Sequence, residues 1–509
     1  MVDSRTKNSS RNMMMGVINK ALTLILPFIT RTIIIYLLGA DYLGIGTLFT
    51  SILSFLSLAE LGISSAIVYS MYKPIAENDY NMISTLLAYY KKIYRMIGLA
   101  ILLIGTIIVP FVPVLTGGDV PGEVNIYFLY YLYLINSVIS YFFAGYKQSV
   151  FTAYQRQDII TALGTVLTVL LQISQIAVLV LTRNFYVYAF VPILFTLIQN
   201  GCCAYLTLKR FPNIKAEGNL PQKYRNEIKK KLGGLFGTKL NSVVVHSADT
   251  IVISAFLGLT STAKYGNYYT IFNAVHGFII VIFNAVTASI GNKLVTDTID
   301  ENYNFFKKLN FANAWLVCWC VTCFLCLYEP FMKLWMGREY CFGMGFVILL
   351  CLYFFIYEIQ RTILAFKDAA GIWYADRLRP YVSMIINLVS NLILVQVIGI
   401  YGIVLSTILA FLISLPWANG VLFKHLFKRN GLENIFSIIG YLFLTISISG
   451  GTYLICNIFG DGFIALICKV GVCMLVPNVI FIFVFRKNTN YLYWKSLISN
   501  GLLERLGRQ

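Results

Sequence analysis

The chain has 509 residues, of which 58% are hydrophobic, 15% aromatic and only 12% charged, with a mean hydropathy of +0.74. A soluble protein carries about 25% charged residues, so this composition excludes an ordinary water-soluble domain and puts most of the chain in lipid. The net charge of +18 would suit a nucleic-acid partner, but the basic residues gather in short segments between apolar runs, and that placement reads as membrane topology instead.

At about 20 apolar residues per span, the sequence predicts an all-α polytopic membrane protein of about fourteen transmembrane helices. They fall near 13–38, 43–72, 92–115, 124–145, 158–182, 185–208, 232–257, 265–291, 308–330, 342–366, 377–398, 400–424, 434–456 and 462–486. The first run is longer than a signal-peptide core and no small-residue cleavage site follows it, so it is expected to be retained. With the N-terminus inside, nearly all Lys and Arg fall in inside segments, and the outside segments hold only Arg183, Lys264, Lys333 and Arg338. The positive-inside rule then predicts that both termini are cytoplasmic. Two six-helix lobes follow from this map, 1–208 and 232–424. A basic cytoplasmic linker, 209–231, joins them, and helices thirteen and fourteen with a tail make up 425–509.

Arg31 in the first span and Glu60 in the second sit at membrane depth, where a charge costs at least a few kcal/mol and marks a functional cavity or a paired site. The first span also carries Asn19, Thr23 and Thr30, with Pro27 expected to kink it. Helix five carries Thr161, Thr165, Thr168, Gln172 and Gln175 within a sector of roughly 80°; helix eleven carries Ser383, Asn387, Ser390 and Asn391 in a similar one. Thr161, Thr165 and Thr168 share one sequence offset with Ser383, Asn387 and Ser390, and Gly44 and Gly266 share the same offset. The segment from Asp249 to Gly258 also echoes that from Arg31 to Gly39. These matches predict a six-plus-six repeat in pseudo-twofold arrangement.

Helix seven holds the densest polar stripe, Lys239, Ser242, His246 and Asp249, and helix eight follows with Asn273, His276, Asn284 and Thr287. Such stripes face other helices or water, because an unpaired polar group in hydrocarbon costs several kcal/mol. Glu60 and Asp249 are the deepest acids, candidates for a proton or sodium site, or for ion pairs with Arg31 and Lys239. His246 and His276 are candidates for a proton-carrying group, or for a histidine simply hydrogen-bonded between helices. Glu358 and Arg361, spaced i, i+3 on helix ten, suit a structural pair. Snorkelling to the interface is the competing reading for Arg31 and Lys469.

The 11 cysteines lie almost all in apolar runs. Four of them, Cys318, Cys320, Cys323 and Cys326, share one run without His or acidic partners, which fits small apolar residues better than metal ligands. The segment from Gly233 to Lys239 lacks the glycine spacing of a phosphate-binding loop. No outside loop is long enough to house an active site, so an enzyme is the weaker reading.

Leu38–Gly44 (LGADYLG), Leu56–Ser65 (LSLAELGISS), Tyr72–Ala76 (YKPIA), Tyr89–Arg95 (YYKKIYR) and Ala248-Asp249 with Tyr265-Gly266 resemble bacterial polysaccharide flippases. These are the Wzx-type O-antigen and capsule repeat-unit transporters of the multidrug/oligosaccharidyl-lipid/polysaccharide superfamily. The resemblance implies two six-helix bundles around a central cavity, alternating access, and an undecaprenyl-diphosphate-linked oligosaccharide as cargo in the bacterial plasma membrane. It implies a monomer working with a glycan polymerase, glycosyltransferases and membrane lipids, with no cofactor and with coupling to H+, Na+ or the membrane potential. Arg31 matches the first-helix arginine of that family. Arg31, Lys239 and Lys469 would then bind the diphosphate end or the rim of a prenyl groove. Thr165, Gln172, Asn387 and Asn391 would meet sugar hydroxyls, and Asp249, Glu60, His246 and Glu358 would couple ions or gate. A multidrug/cation antiporter of the same superfamily, a peptidoglycan-precursor flippase and a membrane glycosyltransferase or polymerase are the alternatives.

Overall fold

The computed structural model describes residues 22, 25–60, 62–118, 120–222, 224–226, 228 and 236–506. Among them every regular element is helical. The longer helices are α1 (Ile25–Leu37), α2 (Ala40–Leu56), α3 (Ile63–Ala76), α4 (Tyr80–Ile108), α5 (Ile126–Phe142), α6 (Gln148–Ala153), α7 (Gln157–Thr182), α8 (Phe185–Arg210) and α9 (Phe236–Thr296). They continue with α10 (Ile299–Trp335), α11 (Met344–Ile359), α12 (Arg361–Ala369), α13 (Arg379–Ile398), α14 (Ile400–Leu422), α15 (Leu432–Cys456), α16 (Phe463–Phe485) and α17 (Thr489–Leu506).

Ten helices among the described residues are long and apolar enough to cross a membrane, or eleven if the pair bent by 52° after α5 is one span. The expected fourteen is not reached by this criterion for three local reasons. The first predicted span is described only from Ile25. The second breaks into α2, a 3-10 turn at Ser57–Glu60, and α3. Spans seven and eight run together as α9, kinked at Gly258.

That kink matches the turn between α1 and α2. Gly39 has φ 108° and ψ 169°, and Gly258 has φ 81° and ψ 175°. A residue with a Cβ rarely adopts such a φ, so each glycine supplies the backbone conformation that breaks one helix from the next. The echo between Arg31–Gly39 and Asp249–Gly258 is thus an echo of local geometry.

α4 shows why these segments read as apolar all round. Ile83, Leu87, Tyr90, Tyr94, Ile97 and Ile101 are buried, while Met96, Leu99, Leu103 and Ile107 point outward on another face. An exposed apolar face this long is unfavourable in water and is satisfied by lipid tails. The polar helix ends carry their own stops: Asp79, Asn125 and Asn184 accept from first-turn amides, and Thr298 with Glu301 forms a reciprocal capping box.

The chain divides into two compact units, Met1–Thr270 and Ile271–Gln509. In the first, α5 packs on α2, α4 and α8, and α7 packs on α8. The Phe49 ring sits edge-on to Tyr130 and Tyr133, with centroids 5.2 and 5.5 Å away. In the second, α10 is central, against α11, α15 and α16, while α13 pairs with α14. An amide chain ties three of these helices: Asn310 donates to Asn434 (3.1 Å), which donates to Asn419 (2.7 Å). Such bonds join helices where hydrophobic driving force is weak.

Candidate functional site

Arg31 is held in the first unit by neutral groups. Its Nε donates to Asn267 Oδ1 at 2.7 Å and its Nη2 to the Ala263 carbonyl at 3.2 Å. Gly266 makes this approach possible, since a Cβ there would stand 2.5 Å from Arg31 Nη2. Next to Arg31 on α1, the Thr30 hydroxyl donates to Gln172 on α7. Among the described residues no carboxylate lies within ion-pair distance of Arg31. Glu60 and Asp249, considered as its partners from sequence, are engaged elsewhere.

Glu60 accepts from the Tyr141 hydroxyl at 2.5 Å, beside a tyrosine cluster in which Tyr94 and Tyr141 have ring centroids 4.5 Å apart. Asp249 is buried on the first limb of α9 (236–257) and accepts from Tyr265 on the second limb (259–296) at 3.4 Å. His246, one turn earlier, hydrogen-bonds Tyr269, and Tyr265 and Tyr269 stack. The polar stripe of the first limb therefore meets tyrosines of the second. Lys239 lies on that first limb, but its side chain is outside the described residues, as is that of Ser242; Asn19 and Thr23 are likewise outside.

The same hairpins touch at their turn ends. Thr260 donates to Asp41 Oδ1 at 2.6 Å, and Gly44 lies against the backbone of Leu259. Gly44 and Gly266, which share the repeat offset, are both points of close approach between α1–α2 and the second limb of α9.

The two polar stripes expected to meet sugar hydroxyls differ. On α7, Thr161, Thr165, Thr168 and Gln172 are half-buried, with the Thr165 hydroxyl donating to the Thr161 carbonyl at 2.8 Å. On α13, Ser383, Asn387 and Asn391 are fully buried. Asn387 donates to Thr407 of α14 at 3.0 Å and Asn391 to Asn387 at 3.3 Å. In this structure the α13 stripe joins helices, while the α7 stripe keeps polar surface open beside α1.

In the second unit, Glu358 is fully buried at the end of α11. It takes Arg361 Nε at 2.9 Å, the i, i+3 pair expected from sequence, and also His276 Nδ1 at 2.5 Å. The Asn313 amide holds the Glu358 carbonyl at 2.9 Å. The sequence places His276 on a polar face and pairs Glu358 with Arg361, but gives no hint that His276 meets Glu358, 82 positions away. It also misses a second buried group. Asp376 takes Lys367 and both carboxylate bonds from Arg379 (2.9 and 2.8 Å), and Arg379 donates to Ser414 at 2.6 Å. The only sequence signal there was the i, i+3 spacing of Asp376 and Arg379. Lys469 is buried on the second turn of α16.

No protein-family model matches the sequence, and no curated protein matches it. Solved structures do match in fold. The lipid II flippase MurJ, in an inward closed conformation, superposes with a TM-score of 0.70 at 14% identity, over 93% of this chain and 99% of that one. An inward-facing multidrug resistance MATE family transporter of the MOP superfamily gives 0.65 at 14% identity, over 82% and 99%. A MOP superfamily transporter from Pyrococcus furiosus Vc1, described as having a binding pocket of reverse polarity, gives 0.55 at 13% identity, over 83% and 97%.

Proposed function

We propose that this protein, a multi-pass membrane protein with the fold of the MOP-superfamily transporters, flips a lipid-linked oligosaccharide across the bacterial plasma membrane for surface polysaccharide synthesis. The cargo would carry undecaprenyl diphosphate and move from the inner to the outer leaflet by alternating access. One observation carries this reading: Arg31 is a cation on a membrane helix whose described partners are an amide oxygen and a carbonyl. Without a carboxylate, its charge is available to a diphosphate, and a guanidinium binds phosphate oxygens two at a time. Gln172, bonded to the neighbouring Thr30, and Thr165 about two turns away on α7 would offer hydrogen bonds to sugar hydroxyls, and Lys239 would supply a second cation.

With the N-terminus inside, the turns at Gly39 and Gly258 lie on the outer side. The bonds from Thr260 to Asp41 and from Arg31 to Asn267 then close the outer end of these hairpins. An anion drawing Arg31 away from Asn267 would loosen that closure, which links binding to opening. Asp249, Glu60, His246 and Glu358 are the groups we assign to ion coupling or gating. A monomer served by glycosyltransferases and a polymerase completes the scheme, with both termini cytoplasmic.

Purified protein in proteoliposomes should move a fluorescent undecaprenyl-diphosphate oligosaccharide between leaflets, and Arg31→Ala should stop it while the protein still inserts. Wild-type liposomes that leave the lipid in place but exchange a cationic dye for protons would sink the flippase in favour of an antiporter. A peptidoglycan precursor is the second reading, favoured by the fold shared with the lipid II flippase MurJ. Faster movement of lipid II than of the oligosaccharide would select it.

A further inference from the structure

Three helices of the second unit bring thiols to one point. Cys326 on α10, Cys456 at the last residue of α15 and Cys473 on α16 are buried, and their sulfurs all lie within 4.8 Å of one another. The Cys456 and Cys473 sulfurs are 4.0 Å apart. Cys323, one turn before Cys326 on α10, packs on the group. The register is pinned beside it, where Trp319 Nε1 on α10 donates to the Cys473 carbonyl at 3.1 Å.

Burial as small apolar side chains accounts for each cysteine singly, and from sequence that reading fitted the α10 run. It does not account for three sulfurs from three helices meeting at one point, with a fourth cysteine packed on them and a buried cation one turn away. Lys469 stands one turn before Cys473 on α16 with 5% of its surface exposed. Among the described residues no carboxylate lies within ion-pair distance of it. A buried ammonium without an anion is costly, and thiolates in this cluster would be its counter-ions.

We propose that Cys323, Cys326, Cys456 and Cys473 form a closed tetrathiolate site for one soft divalent ion of the zinc class. Tetrahedral zinc with bonds of about 2.3 Å sets sulfurs about 3.8 Å apart, so Cys326, Cys456 and Cys473 need only draw together by about 1 Å. Cys323, packed against them, turns in from the preceding turn of α10 to close the fourth position. The four thiols release their protons to solvent as the ion binds. Four thiolates and a divalent ion leave the centre doubly negative, and Lys469 offsets one of those charges. With every position filled by sulfur there is no open coordination site, so the role is structural: the ion fastens α15 and α16 to α10.

The full-length chain, purified in detergent without a metal-affinity tag or chelator, should hold about one zinc per molecule by plasma mass spectrometry. Replacement by Co2+ should give the intense visible bands of tetrahedral cobalt and a near-ultraviolet thiolate charge-transfer band. Cys456→Ser with Cys473→Ser should lose both signals, and Cys202→Ser with Cys468→Ser should keep them. If the first double variant fails to fold, the wild-type metal content and cobalt spectrum decide alone. Wild-type protein that holds no stoichiometric metal and gives no thiolate–cobalt band after Co2+ titration overturns the site. So does a Cys456–Cys473 disulfide in its peptide map.

Discussion

Gly44 lies so close to α9 that a Cβ added to it would stand 2.2 Å from the Leu259 carbonyl oxygen. Neither backbone can yield by rotating a side chain, so the spacing between α2 and the second limb of α9 depends on that missing methyl.

Gly44→Ala should therefore part the two helices rather than be absorbed, costing about 1–3 kcal/mol as overpacking. Ser261→Cys provides the reporter: a membrane-impermeant maleimide should label it several-fold faster in the Gly44→Ala background. Equal labelling rates would show that the hairpins accommodate the methyl without separating.

Arg31→Ala and Arg31→Lys should differ in degree. A charge-assisted hydrogen bond is worth about 1.5–3 kcal/mol, so Arg31→Ala should cut lipid flipping in proteoliposomes by roughly tenfold to a hundredfold. Arg31→Lys keeps the charge but loses the planar fork, and should recover part of the rate. Asn267→Ala frees the guanidinium and should weaken the closed hairpin contact while leaving cargo binding in place.

Glu358→Gln leaves Arg361 without its carboxylate at a buried position. Breaking such a pair costs about 3–5 kcal/mol, so the thermal midpoint of the purified protein should fall clearly. His276→Gln keeps a donor near Glu358 and should cost less. A Glu358→Gln protein as stable as wild type would mean that Arg361 reaches another anion or water.

Asp376→Ala strands two cations, Lys367 and Arg379, both buried. The variant should be poorly expressed or lower-melting by a similar margin. Adding Lys367→Met, which removes one stranded charge while keeping its bulk, should restore part of the stability.

Apolar runs and their basic borders made the helices legible, because lipid imposes a length and a composition on each span. Gly39 and Gly258 were legible as an echo, and Glu358 with Arg361 as a helical spacing, because both are local. What sequence pattern could not supply was the partner across space. Arg31 meets Asn267, His276 meets Glu358, and the thiols of α10 meet Cys456 and Cys473. Helical periodicity names the face a residue occupies but not the helix opposite it. For the same reason the stripes on α7 and α13 looked alike in sequence, yet α14 seals one of them and the other stays half-open.

The turns at Gly39 and Gly258 each hinge on one glycine of positive φ, with helix resuming directly at Ala40 and Leu259. Such a joint has no slack. If α1 or the first limb of α9 slides along its axis, the following helix must travel with it, and only swivelling about the glycine remains independent. Each hairpin then behaves as a lever on a pin, so a push on a side chain deep in one limb arrives at the far end of the other undiminished.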